Sequence, residues 1–187
     1  MRGIVFTEFQ QLVEERFGMA MYDRLVCTVE TETQGAYTSV GNYDYHELLR
    51  LVEQLSKVVD IPISDLVKVF GHHLFKSFVR AYPYSVVGIT NTAELMQSVE
   101  SVIHVEVSKL NPDAELPMFK LTELGEDDLE IVYESTRPFA DLAQGLIEAS
   151  IEYFEDGYGL TREDLSNDGT SARFLLTAKA GVTACMT

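Results

Sequence analysis

Residues 118–138 read MFKLTELGEDDLEIVYESTRP, and this stretch decides the fold class. Two runs in which apolar and polar residues alternate, MFKLTEL and LEIVYES, flank the turn-forming GEDD, the pattern of a β-hairpin. Downstream, PFADLAQGLIEASIEYF reads as a helix, and LTREDL, SNDG and TSARFLLTA read as a second hairpin. Upstream of Pro117 the period is different. Val5, Phe9, Leu12, Val13 and Phe17 recur at three and four, the spacing of one helical face, with Gly18 as the stop. A short helix is expected over Met21 to Thr31, and a loop over TETQGAYTSVGNYDY. Asp44 is positioned to cap a third helix with the stripe Leu48, Leu49, Leu51, Val52, Leu55 and Val59. Ser64 is positioned to cap a fourth, with Leu66, Val67, Phe70, Leu74, Phe75 and Phe78 apolar. The Asn91 to Glu94 spacing resembles a helix-start box, and the fifth helix it opens is expected to reach about Leu110, ahead of Pro112. Helices first and hairpins afterwards give an α+β fold, an N-terminal helical part followed by a C-terminal antiparallel sheet with packed helices.

Composition narrows the function classes. The 187 residues suit one domain, or one domain with a small appendage. Against 14 Lys and Arg stand 30 Asp and Glu, a net charge of -16, which disfavours nucleic acid and anionic lipid as partners. No apolar run reaches the roughly 18 residues that span a bilayer. The start, MRGIVFTEFQQ, lacks the basic-then-apolar layout of a signal peptide, so a cytoplasmic protein is expected. Cys27 and Cys185 sit in no C-x-x-C pattern and read as free thiols.

If LEIVYESTRP is one strand, Tyr133, Ser135 and Arg137 share a face, and all three donate hydrogen bonds. Two readings stand at this point: a carboxylate clamp built on the guanidinium fork, or an exposed strand face that is merely polar. Of the four histidines, His46, His72 and His73 lie among polar or helix-surface positions, and no H-E-x-x-H, P-loop, G-x-G-x-x-G or G-x-S-x-G occurs. His104, in SVIHVEV, lies beside Val99, Val102, Ile103 and Val107. It is either a hydrogen-bonded boundary residue or a metal ligand. One imidazole is enough for haem iron, whose equatorial ligands come from the porphyrin and whose propionates need cationic and hydroxyl donors.

Five pieces together, MRGIVFTEFQQLVEERFG, AYTSVGNYDYHELLRLVEQLS, IPISDLVKVFGHHLFKSF, VIHVEVSKLNPDAELP and YESTRPFADLAQGLIE, resemble the H-NOX domains. These are haem nitric oxide/oxygen binding domains of bacteria and of soluble guanylate cyclase. The pieces span nearly the whole chain, and Y-x-S-x-R with a histidine about thirty residues upstream is specific to that family. The resemblance, which is to the standalone bacterial type, implies a single domain over 1–187, with a helical distal part over about 1–65 and a haem-binding and sheet part over about 66–187. It implies haem b (iron protoporphyrin IX) buried between the two. His104 then corresponds to the proximal iron ligand, Tyr133, Ser135 and Arg137 to the propionate clamp, and Pro117 to the proline that presses on the porphyrin. Val5, Phe9, Leu74, Phe78 and Leu142 correspond to the walls of the distal pocket.

None of those five walls donates a hydrogen bond, and family members that keep dioxygen have a tyrosine at the place of Leu142. The resemblance therefore implies a sensor of NO and CO that excludes dioxygen. It also implies that NO weakens the bond to His104, and that the effector is a separate protein, most often a histidine kinase or a cyclic-di-GMP enzyme. SNDGTSARFLLTAKAG has neither the histidine nor the cysteine of the zinc-binding last hairpin of some members, so no zinc is expected. Two other classes remain: a haem peroxidase or oxygenase, for which the pocket lacks acid/base groups, and a haem-free interaction or apolar-ligand module on the same fold.

Overall fold

The computed structural model describes residues 1–105, 115–125 and 128–178. The expected run of the fifth helix to Leu110, with Val107 and Pro112, lies outside these residues. So do the centre of the GEDD turn and the tail that carries Cys185.

Helix α1 spans Gly3–Phe17, and Gly18, at φ +87°, ends it and opens α2 (Met19–Thr28). A positive φ of this kind is what glycine permits without steric cost. Helix α2 thus starts earlier and stops sooner than the apolar spacing suggests. Residues 29–44 are non-helical, and they fold back on α1: Gly3 N–H donates to Gly41 O at 2.8 Å, and Arg2 bridges Asn42. Helix α3 (Tyr45–Val59) is capped by Asp44, whose carboxylate accepts from His46 N. Helix α4 (Ile63–Ala81) has Pro62, not Ser64, at the cap position. Proline is suited to the helix start because the missing N–H would have had no intrahelical partner there, and Ser64 falls two residues inside the cap position.

Helix α5 is short, Thr92–Ser98. Its start box forms: Glu94 N–H donates to Asn91 Oδ1 at 2.9 Å, while the Glu94 carboxylate reaches back to Thr90 N at 2.8 Å. Asp156, beyond the opposite helix, accepts from Thr92 N at 2.6 Å and pins this end. At Val99–Ile103 the α geometry gives way to a π turn, and His104 N–H bonds back to Val99 O.

Strands β1 (Met118–Glu123), β2 (Leu129–Glu134), β3 (Gly159–Asp164) and β4 (Ser171–Thr177) form an antiparallel sheet in the order β1-β2-β4-β3. Both expected hairpins are present, and β2 and β4 pair across the middle, Ile131 opposite Phe174 and Tyr133 opposite Ala172. Period-two alternation turns Leu129, Ile131, Tyr133, Ala172, Phe174 and Leu176 to one buried face.

Helix α6 (Ala140–Phe154) lies between two cores. Ala140, Ala143 and Ile147 pack on the sheet face together with Met96 of α5. On its other side α6 meets α4, where the two glycines Gly71 and Gly145 let the backbones touch. A Cβ at Gly71 would lie 2.7 Å from Leu142 O, and one at Gly145 would strike Lys68 O. The second core joins α1, α2, α3 and α4 around Phe6, Phe9, Leu12, Leu25, Leu51, Leu55 and Phe70, with Phe139 at its edge.

Candidate functional site

Strand β2 ends at Glu134, so Tyr133, Ser135 and Arg137 do not share a strand face as the alternation suggests. They come together through a turn instead. Ser135 N–H donates to Thr170 O at 2.9 Å and Ala140 N–H to Gly169 O at 3.1 Å, which fixes residues 135–140 against the tip of the β3–β4 hairpin. Inside the turn, Arg137 N–H donates to Ser135 Oγ at 3.1 Å, and the Tyr133 hydroxyl donates to Arg137 O at 3.5 Å. Burial raises the Tyr133 pKa from its ordinary value; Ser135, the Phe139 backbone and the Arg137 charge work the other way.

The Arg137 guanidinium projects over the Tyr45 ring, 5.5 Å from its centroid. Its side chain is 14% exposed, and it engages Glu115, with Nη2 to Oε2 at 2.8 Å and Nη1 to the Glu115 carbonyl at 3.4 Å. The Nε is buried with no hydrogen-bond partner among the described residues.

His104 stands at the end of the π turn, its side chain 16% exposed. Glu100, one turn earlier, accepts from its Nδ1 at 3.1 Å, and the same oxygen, Oε1, accepts from Phe119 N of β1 at 2.8 Å. A carboxylate can only accept, so the ring proton sits on Nδ1 and the lone pair on Nε2. Among the described residues no hydrogen bond reaches Nε2. Burial pushes the His104 pKa below its ordinary value against the Glu100 charge. The Phe119 ring lies between the two halves, 6.0 Å from the His104 ring and 5.5 Å from the Tyr133 ring, centroid to centroid. Pro117 is half-buried immediately before β1, between the Arg137 partner Glu115 and the His104 neighbour Phe119.

The five expected pocket residues converge as well. Phe9 and Leu74 are buried members of the helical core, and Val5, Phe78 and Leu142 pack against it from α1, α4 and α6. The remaining histidines divide. His46 is exposed beside Asp44, whereas His73 is not on the surface: its side chain is 10% exposed, and Nε2 meets Glu8 Oε2 of α1 at 3.1 Å. An imidazole paired with a carboxylate between two helices is a structural clasp.

The model of the haem-NO-binding family matches residues 2–161. The chain belongs to the H-NOX family. Its structure is similar to the H-NOX protein of K. algicida in the unliganded Fe(II) state, with a TM-score of 0.91 and 36% identity over 97% of this chain and 98% of that one. It is also similar to the H-NOX of Shewanella woodyi in the Fe(II)CO state, with a TM-score of 0.83 and 38% identity over 100% and 99% of the two chains. The fold of the S. oneidensis H-NOX is shared at 23% identity, with a TM-score of 0.85 over 96% of this chain and 99% of that one. No curated protein sequence matches the chain.

Haem is the cofactor of an H-NOX domain, and the residues present fit it. Among the described residues one imidazole keeps a free lone pair, and a largely buried guanidinium has an unmet Nε and already grips a carboxylate, the group that a propionate would present. Sequence reasoning missed Glu100, Glu115 and Phe119. Only Glu100 carried a signal, its i, i+4 spacing to His104.

Proposed function

We propose that this chain is a cytoplasmic haem-based gas sensor that binds NO and CO, excludes dioxygen, and signals to a separate effector without turnover. The observation that carries the reading is the pairing of donors: His104, held by Glu100 through one nitrogen, and the Tyr133, Ser135 and Arg137 turn, joined by the Phe119 ring between them. When bound, the haem supplies a ferrous iron that takes diatomic gases and two propionate carboxylates. His104 gives the Nε2 lone pair, Arg137 grips a carboxylate in its fork, and the Tyr133 and Ser135 hydroxyls add donors beside it.

Val5, Phe9, Leu74, Phe78 and Leu142 wall the gas side, and their apolar side chains exclude water. Dioxygen gathers negative charge on binding and is kept by a hydrogen-bond donor, which these side chains lack; NO and CO need none. The same lack leaves no acid or base to break an O–O bond. The S. woodyi relative in its CO state supports CO as a ligand. His104 is the movable part, because it follows the π turn of a segment whose start is fixed by Asp156. A segment with two arrangements is something a partner can distinguish, and the partner is a histidine kinase or a cyclic-di-GMP enzyme.

The ultraviolet and visible spectrum of the purified protein, reduced without air, before and after NO, tests this reading. A haem band that moves on adding NO to the position of iron without a histidine ligand is the expected result. No haem band after haem is supplied would overturn the reading in favour of an interaction module.

A further inference from the structure

The Glu100 carboxylate does more than fill a helix surface. A single oxygen, Oε1, accepts from His104 Nδ1 at 3.1 Å and from Phe119 N at 2.8 Å, so three elements meet on one atom: the π turn, the imidazole and strand β1. The neighbouring Phe119 ring lies tilted at 36° to the imidazole, 6.0 Å away, and bounds the plane in which it can turn. An i, i+4 pair on an open helix is worth a few tenths of a kcal/mol and leaves both side chains mobile. Here the acceptor is tethered to a strand, and the ring it holds is largely buried, at 16% exposure.

We propose that Glu100 is the positioning residue of His104, fixing its tautomer and orientation and strengthening Nε2 as a donor, so that Glu100 sets how readily His104 is released when NO binds. This rests on the reading of His104 as the iron ligand. The chemistry is that of an outer carboxylate on a metal-bound histidine: a hydrogen bond from Nδ1–H to an anion gives the ring partial imidazolate character and raises its basicity at the other nitrogen. Because the same oxygen is bonded to β1, any rotation of the imidazole off the metal also strains the contact to Phe119 N. Glu100 therefore opposes release twice, through donor strength and through the tether.

The test compares the unaltered protein with Glu100→Gln and Glu100→Ala, each loaded with ferrous haem. The readouts are the iron–histidine stretching frequency by resonance Raman, and the fraction of protein that loses the histidine ligand as NO is added in steps. Glutamine keeps an acceptor for Phe119 N while removing the charge, which guards against a variant that fails to fold. The expected order of frequency is Glu, then Gln, then Ala, with affinity for the metal lower by roughly tenfold to a hundredfold in Glu100→Ala and histidine loss complete at lower NO. An unchanged frequency in Glu100→Gln and Glu100→Ala, with the parent band present, would overturn the role of Glu100 alone. Absence of any iron–histidine band in the unaltered protein would overturn the ligand reading, and this role with it.

Discussion

The Arg137 guanidinium is already bound to a carboxylate, with Glu115 Oε2 2.8 Å from Nη2. The partners are unequal, Arg137 being 14% exposed and Glu115 69% exposed, so the arginine is held by its surroundings and the glutamate is free to leave. On the proposed function Glu115 competes with a haem propionate for one fork. Glu115→Gln is then expected to speed haem uptake by the haem-free protein by up to about fivefold, the limit set by an exposed ion pair of at most about 1 kcal/mol. Stopped-flow haem binding measures it, and a slower uptake would show that Glu115 instead holds the Arg137 fork ready for the propionate.

Loss of the fork itself has a larger effect. A hydrogen bond to a charged group contributes about 1.5–3 kcal/mol, so Arg137→Ala is expected to raise the rate of haem transfer to a competing apoprotein by roughly tenfold to a hundredfold. Arg137→Lys should recover only part, because an ammonium cannot present two parallel N–H groups.

Leu142 supplies a direct test of gas selection. It packs against the cluster that contains Phe9 and Leu74, and it has no donor. Leu142→Tyr is expected to give a ferrous dioxygen spectrum in air that the parent does not form. Failure to gain it, with CO binding intact, would move the basis of selection away from this pocket wall.

Gly145 sits where α6 crosses α4 with backbone on backbone. A methyl group there has only the Lys68 carbonyl to displace, so Gly145→Ala forces the helices apart. Overpacking of this kind costs about 1–3 kcal/mol. Urea unfolding should show it as a lower midpoint with unchanged slope.

Tyr22 makes stability depend on alkaline pH. Its hydroxyl donates to Gly35 O at 3.2 Å, and burial, aided by the Glu14 charge, pushes its pKa up from 10.0 to about 12. Between those values the unfolded chain has lost the proton that the folded chain keeps. Stability is therefore full below pH 10 and falls from there towards pH 12, by up to about 1.4 kcal/mol per unit. Tyr22→Phe should flatten that part of the profile, as followed by thermal unfolding across the range.

Much of this molecule was legible in its sequence because the signals were local. Gly18, Asp44 and Asn91 mark helix boundaries that the structure reproduces, and both hairpins follow from alternation. What escaped depends on contacts between distant segments. Glu47 lies on a helix that reads as amphipathic, yet its carboxylate is buried and accepts from Tyr37 at 2.6 Å, a partner drawn from a stretch that reads only as loop. His73 looked like a surface residue because its partner, Glu8, is sixty-five positions away. Tyr133, Ser135 and Arg137 were expected on one strand face, but the strand stops before the serine and a turn brings them together instead.

The π turn at Val99–Ile103 also constrains the length of this segment. Each residue of an α-helix advances the chain by about 100° around the axis. Deleting one residue there would restore regular helical bonding locally, but it would swing His104 by roughly that angle relative to the start anchored on Asp156, away from Phe119. An insertion would do the reverse. Between Asn91 and His104 this chain is therefore open to substitution on its outer positions but closed to any change in residue count, and indel scanning should recover no haem-binding variants from that window.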